Sequence, residues 1–291
     1  MVFGLFSEKA IVDVTADRQS YRPGETVRIE IRARGQEALA IRGARAELVI
    51  THKYKYRTTT ASNNGGTRTT TQTTSDDTVV AMVPLLGEGT VEAGSDIPLA
   101  AEIQIPAGAP PSGEGSATSI WWSVRAVLDV PRRPDADGQT SIVVLAPRDA
   151  HPSGFRAPHL DTNDCHLALT LDDDVLRAGA TIRGTLRLAA RSSFEARAVR
   201  VELVRREEVS RDRGYEDTEV VSGREIASLI GSALAPGDTH EFPFELLIPT
   251  RAFPSHTMPP ARVSWSIRAV IDRPRRDDFN LERPVHIYNA D

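Results

Sequence analysis

The chain has 291 residues, enough for two domains of ordinary size, and it is 40% hydrophobic and 26% charged. That balance excludes a disordered tail, and the lack of any 18-residue apolar run excludes a membrane-spanning helix. Lys plus Arg is 35 against 40 for Asp plus Glu, so no global positive field exists to hold nucleic acid. One cysteine, Cys165, excludes an intramolecular disulfide and a Cys-rich zinc site. With no Asn-x-Ser/Thr glycosylation site, it points to a reducing cytoplasm.

The chain opens on Val2-Phe3-Gly4-Leu5-Phe6, which is apolar but too short for a secretion signal and lacks a basic flank. It is expected to pack on its own domain, with a peripheral membrane contact as the less favoured reading. A first strand follows at Ala10-Ile11-Val12-Asp13-Val14, and Tyr21-Arg22-Pro23-Gly24 forms a tight turn, because Pro sets φ and Gly accepts φ > 0. After it, Val27, Ile29, Ile31 and Ala33 alternate with Arg28, Glu30, Arg32 and Arg34, a period of two that only a half-buried strand satisfies. The same period runs through Ala44-Arg45-Ala46-Glu47-Leu48. Next come Lys53-Tyr54-Lys55-Tyr56-Arg57 and a stretch, 58–78, with ten threonines and Asn63-Asn64-Gly65-Gly66, read as an inserted loop or the tip of a long hairpin. Gly113-Glu114-Gly115-Ser116 reads as a flexible connector. Trp121-Trp122-Ser123-Val124-Arg125-Ala126 is a further core strand.

The pattern then repeats. Arg22-x-Gly24-x-Thr26-Val27-Arg28 lies over Arg177-x-Gly179-x-Thr181-Ile182-Arg183, and Arg45-x-Glu47-Leu48-Val49 over Arg200-x-Glu202-Leu203-Val204, both at an offset of 155. Gly94 lies over Gly237, Ile105-Pro106 over Ile248-Pro249, Pro111-Ser112 over Pro254-Ser255, Trp122-Ser123-Val124-Arg125-Ala126-Val127 over Trp265-Ser266-Ile267-Arg268-Ala269-Val270, and Pro131-Arg132-Arg133 over Pro274-Arg275-Arg276, all at 143. The difference, 155 − 143 = 12, places 12 extra residues in the first copy, and stretch 58–78 is where they fit. The expected organisation is one domain over 1–146 carrying the Thr-rich insertion 58–78, a Pro- and Gly-rich linker over 147–163, and a second domain over 164–291. The fold class is all-β: two tandem immunoglobulin-like antiparallel β-sandwiches.

No Gly-x-Ser-x-Gly elbow and no Gly-x-x-x-x-Gly-Lys-Ser/Thr loop occurs, and the seven histidines show no His-Glu-x-x-His spacing. An enzyme is therefore not expected, nor a cofactor or metal. Cys165-His166 beside Asp161 and Asp164 is the one mixed cluster, but neighbours on a strand point to opposite faces. Asp172-Asp173-Asp174 lacks the alternating acids and distal Glu of a calcium loop and reads as a solvated turn. Candidate partner-binding residues fall in two groups. Arg132-Arg133 and Arg275-Arg276 flank equivalent turns and could take carboxylate or phosphate groups, or be balanced by Asp135, Asp137, Asp277 and Asp278 on solvated loops. Lys53, Tyr54, Lys55, Tyr56 and Arg57 lead into the insertion and would suit entry into a partner's cleft, the plain alternative being a two-stranded ribbon. With only 3 lysines beside 32 arginines, counting arginines is itself a weak argument, since a GC-rich genome produces the same bias.

The ordered blocks resemble the arrestin-like family, whose members are two β-sandwich domains in tandem. Tyr21-Arg22-Pro23-Gly24-Glu25-Thr26-Val27 is similar to the family's Tyr-x-Pro-Gly-Glu-x-Val turn. The Ile105-Pro106, Pro111-Ser112 and Trp122-Ser123-Val124 series and its second copy, with Phe242-x-Phe244-x-Leu246, Ile248-Pro249 and Phe253-Pro254-Ser255, complete it. The likeness spans nearly the whole chain and is closest in type to bacterial sporulation-control relatives of arrestin. It implies a non-catalytic cytoplasmic scaffold or adaptor for protein partners, with regulatory use and domain rotation about the linker. It also places stretch 58–78 where arrestins carry their receptor-engaging loop. The first strand lacks the family's paired phosphate-sensing lysines, and neither a clathrin-box tail nor a Pro-Pro-x-Tyr motif is present. The alternative function is a small-molecule or sugar-binding sandwich, disfavoured because aromatics are 5% of the chain and Trp121, Trp122 and Trp265 lie in core strands.

Overall fold

A computed structural model describes residues 10–61, 66–150 and 154–290. The apolar start at Val2 to Phe6, Lys9, His151 and residues 62–65 of the Thr-rich stretch lie outside the described residues. The chain divides into two compact units, one of Met1–Tyr54, Thr73–Ser112 and Ser119–Leu145, the other of Lys55–Gln72, Gly113–Thr118 and Ala146–Asp291.

The first repeat contributes β1 (Ala10–Ala16), β2 (Ser20–Tyr21), β3 (Thr26–Gly35), β4 (Leu39–Ile41), β5 (Gly43–Ala61), β6 (Thr67–Leu86), β7 (Gly89–Val91), β8 (Asp96–Gln104), β9 (Gly113–Glu114), β10 (Thr118–Asp129) and β11 (Ala136–Val144). Two sheets carry most of it, one ordered β1-β3-β8 and the other β2-β11-β10-β5-β6. The second repeat contributes β12 (His159–Asp161), β13 (Cys165–Leu171), β14 (Val175–Arg177), β15 (Thr181–Ala190), β16 (Phe194–Val209), β17 (Tyr215–Leu234), β18 (Thr239–Leu247), β19 (His256–Met258), β20 (Ala261–Asp272) and β21 (Phe279–Tyr288). Its sheets run β12-β13-β15-β18 and β14-β21-β20-β16-β17, the same order strand for strand apart from the added β12. The chain is two β-sandwiches in tandem.

Three features refine or depart from the sequence reading. The short strands β2 and β14 pair parallel, not antiparallel, with β11 and β21, because each lies beside the last strand of its repeat before the Pro-Gly or Ala-Gly turn sends the chain into the other sheet. The segment 147–163 includes a 3-10 turn at Arg148–Ala150 and the strand β12, which adds to the edge of β13. The long hairpin is present in both copies: β16 and β17 match β5 and β6, so the 12 extra residues lengthen a hairpin rather than create one.

The repeated residues prove to be fold-making, position by position. Gly24 and Gly179 hold φ of +86° and +84°, the left-handed conformation that Gly adopts without a Cβ clash. Buried Trp122 donates Nε1–H to the Pro110 carbonyl at 3.0 Å, and Trp265 does the same to Phe253 at 2.9 Å. Ser112 and Ser255 each accept a backbone N–H through Oγ, from Val144 and Ile287, at 2.9 Å in both cases. Arg125 sends Nε and Nη2 to one oxygen of Glu47 (3.0 and 2.7 Å), and Arg268 repeats this on Glu202 (2.8 and 2.6 Å). Arg42–Asp129 and Arg197–Asp272 are likewise equivalent.

Burial pushes the Glu47 carboxyl up, but bonds from Arg45 and Arg125 outweigh it and hold the group below its ordinary value of 4.5. Its contribution is therefore complete above about pH 4.5 and is lost as pH falls through the lower folded value. Glu47→Gln should cost about 2 kcal/mol at neutral pH, and urea melts should show that the difference from the parent shrinks as pH falls from about 5 to 3. A Cβ on Gly138 of β11 would sit 1.8 Å from the Val12 carbonyl oxygen. Gly138→Ala should therefore displace β1 and lower stability by about 2 kcal/mol, read by thermal unfolding, whereas Gly24→Ala meets no neighbour and loses only its backbone conformation.

Candidate functional site

The candidate partner-binding residues fall into two groups. Arg132 and Arg275 sit at φ of +60° and +61°, at the same place in their two turns. Each turn is held by a carboxylate that accepts a backbone N–H, Asp135 from Val130 and Asp278 from Arg273, both at 3.1 Å. Two of the four acids expected to balance the arginines, Asp135 and Asp278, thus cap the turns instead. Arg133 pairs with Glu37 at 3.2 Å, while Arg276 lies 4.0 Å from Asp164, to which Arg273 is closer at 3.1 Å. Arg132, Arg133, Arg275 and Arg276 all remain exposed.

In the 53–57 group, alternation separates the side chains. Lys53 is exposed, while Tyr54 turns into the sandwich and donates its hydroxyl to Asp76 at 2.8 Å. Lys55, Tyr56 and Arg57 belong to the second compact unit. There Arg211 stacks over the Tyr56 ring at 4.5 Å, Arg57 stacks over Tyr215 at 5.2 Å, and Arg213 donates its N–H to the Arg57 carbonyl at 3.2 Å. The tip of the second hairpin, Ser210 to Gly214, is shaped by positive φ at Asp212 and Gly214. Beyond this root, Thr58 faces Thr70 and Thr59 faces Thr69 as cross-strand hydroxyl pairs at 3.3 and 3.2 Å, so the described part of the insertion is a two-stranded ribbon.

Beside the root lies an open cleft of about 600 Å³ lined by Arg57, Glu208, Arg213, Tyr215, Glu216 and Arg262, among others. Glu216 is taken by Arg206 at 3.2 Å. Among the described residues, Arg57, Arg213 and Arg262 have no carboxylate within ion-pair distance, and the lining's other acid, Glu208, stands across the strands from Arg262, so three guanidinium groups face one unpaired carboxylate beside one aromatic face. That combination suits a carboxylate-bearing extended segment.

Sequence reasoning missed a second feature of this unit. Glu207 is 1% exposed and accepts backbone N–H groups from Ser116, Ala117 and Thr118 at 3.0, 2.8 and 3.0 Å, with Arg205 Nε 2.9 Å away. A Cβ on Gly115 would lie 2.2 Å from the Glu207 carboxylate, and one on Gly113 would lie 2.0 Å from the Phe253 ring. The segment read as a flexible connector is thus clasped, and its glycines are there for close approach. The available signal was parity: Glu207 occupies the inward position of Val201-x-Leu203-x-Arg205-x-Glu207.

The other sequence clusters resolve simply. Cys165 is buried, burial raises its thiol pKa, and it points away from His166, which bonds Asp161 at 2.9 Å on the other face. Asp174 is not solvated as expected: it is 6% exposed and accepts N–H bonds from Gly154 and Phe155 at 2.9 and 2.7 Å. Trp121, placed by its strand among core residues, is 39% exposed because it alternates with buried Trp122. Among the described residues no group of three or more His, Cys, Asp or Glu is placed to hold a metal, and no helix is long and apolar enough to cross a membrane. Glu207→Ala should leave three amides without their acceptor, so hydrogen exchange at Ser116, Ala117 and Thr118 should quicken by about 10-fold or more while strands β15 and β20 keep their protection.

The model for the C-terminal domain of arrestin (or S-antigen) matches residues 7–147, and the model for the N-terminal domain of arrestin (or S-antigen) matches residues 165–289. The two models therefore occur in the reverse of the order their names give, as two units with one strand order allow. No curated protein matches the chain. Arrestin-family domains generally act as protein-binding adaptors, not as enzymes. With both of its halves matched by arrestin-domain models, the chain belongs to the arrestin-like family.

Proposed function

We propose that this chain is a non-catalytic adaptor of the bacterial cytoplasm that binds a protein partner, with residues 1–146 and 164–291 as its two domains and 147–163 as the linker. The observation that carries this reading is the anchored hairpin root. Tyr56 and Arg57 are stacked against Arg211 and Tyr215, which directs the exposed Thr-rich ribbon and leaves the cleft beside it open. A recognition element held at its base loses less freedom on binding than a free loop does. The partner segment is an extended, acidic strand that lies along Arg57, Arg213 and Arg262, with the ribbon giving further contact. Lys53, Arg132, Arg133, Arg275 and Arg276 lie outside this cleft's lining and serve as secondary exposed charges.

The test is affinity capture from the host's lysate with the parent chain, with Arg57→Glu/Arg213→Glu, and with residues 58–77 replaced by a short Gly-Ser turn. A specific protein held by the parent, and reduced about 10-fold or more by the charge reversal, is the expected outcome. Loss with the shortened ribbon alone would move recognition to the ribbon. No partner with any form would overturn the adaptor reading.

A further inference from the structure

Strand β6 ends its sheet, and among the described residues no strand pairs with its outer side. An edge of this kind exposes a row of unpaired amides and carbonyls, which proteins ordinarily guard with charge, Gly, Pro or a bulge. The equivalent edge of the second repeat is guarded. Gly223, Arg224 and Glu225 are exposed on β17, Val221 and Ile226 bulge out of its register with β16, and Ser222 donates its hydroxyl to the Leu247 carbonyl at 3.2 Å. At the repeat's offset of 143, Gly223, Arg224 and Glu225 lie under Val80, Ala81 and Met82. Thr78-Val79-Val80-Ala81-Met82-Val83 holds no charge, no Gly and no Pro, Pro84 coming only after it, yet Val79, Val80 and Met82 are 44, 37 and 59% exposed. A six-residue window of high β-propensity left bare on an edge is a strand-pairing site.

We infer that this edge is the interface between two copies of the chain, paired antiparallel about Ala81. That register sets Val79 against Val83 and Val80 against Met82, apolar on apolar on both faces of the strand. It sets Asp77 against Leu85 and holds the two Asp77 side chains about 26 Å apart, well beyond the screening length, whereas a parallel pairing would bring Asp76 and Asp77 of the two copies together. A foreign basic strand has little to hold. The Asp76 and Asp77 carboxylates are turned back onto β5, where they accept the Tyr54 and Thr51 hydroxyls at 2.8 and 2.7 Å. The segment presents only backbone and apolar side chains, and its own copy complements both.

Sedimentation velocity of the full chain from about 1 to 200 µM should show a concentration-dependent dimer, as expected for an interface at the small end of the specific range. The triple variant Val80→Gly, Ala81→Arg, Met82→Glu transfers the second repeat's residues to β6. It should weaken the dimer about 100-fold while keeping the parent's melting temperature, which separates loss of pairing from loss of fold. Oxidation of Ala81→Cys should link two copies symmetrically, since facing Cα atoms lie within disulfide reach and Cys165 is buried. A parent that stays monomeric throughout would overturn the inference. If residues 78–83 were nonetheless protected from hydrogen exchange in that monomer, the edge would be covered by the chain itself. A dimer that survives the triple variant, or that fails to cross-link through Ala81→Cys, would overturn it equally.

Discussion

Backbone hydrogen bonding sets the problem that the rest of this molecule solves. Every strand inside a sheet satisfies its amides and carbonyls on both sides, but the outermost strand satisfies only one, and a sandwich of open sheets has such strands at every border. Parallel addition of β2 beside β11 and of β14 beside β21 covers one border of the larger sheet in each repeat. At the opposite border the repeats diverge. Bulges, Gly and charge guard β17, whereas β6 carries an uninterrupted apolar run. The hairpin that carries the Thr-rich ribbon also provides this edge, so the proposed recognition element and the inferred self-association both rest on one long β5-β6 ribbon.

The arginines have a physical use beyond their abundance. In both repeats one guanidinium places two N–H groups on a single carboxylate oxygen across neighbouring strands, at Arg125–Glu47 and Arg268–Glu202. A planar fork can do this without losing the strand geometry, and an ammonium on a flexible stem cannot do it with the same order. Those pairs are largely buried on the acid side, where an unpaired carboxylate would be costly. The cleft arginines differ in kind. Arg57, Arg213 and Arg262 are left over once the strand pairs are made, and their charge beside Tyr215 is what the proposed binding of an acidic segment rests on.

Much of the fold was legible because its determinants are local. Period-two alternation marks each strand, and Pro23-Gly24 and Gly179 mark turns whose dihedral angles only a few residues reach. The repeat at offsets of 155 and 143 aligned positions that make equivalent contacts, as the Trp122 and Trp265 indoles and the Ser112 and Ser255 hydroxyls do. The candidate site was legible only in part. Lys53 through Arg57 form one candidate group in the sequence, yet alternation buries Tyr54 and exposes Lys53, and the stacking of Tyr56 and Arg57 depends on Arg211 and Tyr215, more than 150 residues away in the chain.

The amino-acid sequence by itself determined the all-β class, the two-fold repetition and the arrestin-like character, since periodicity, turn chemistry and repeat spacing are properties of short stretches read in order. Tertiary structure alone decided which charges are balanced and which are left over. It decided that Glu207 clasps Ser116 to Thr118, and that β6 closes its sheet with a bare edge. The reason is that hydrogen bonds, ion pairs and strand neighbours join residues far apart in the chain, and a pattern of residue types cannot say which distant group arrives first.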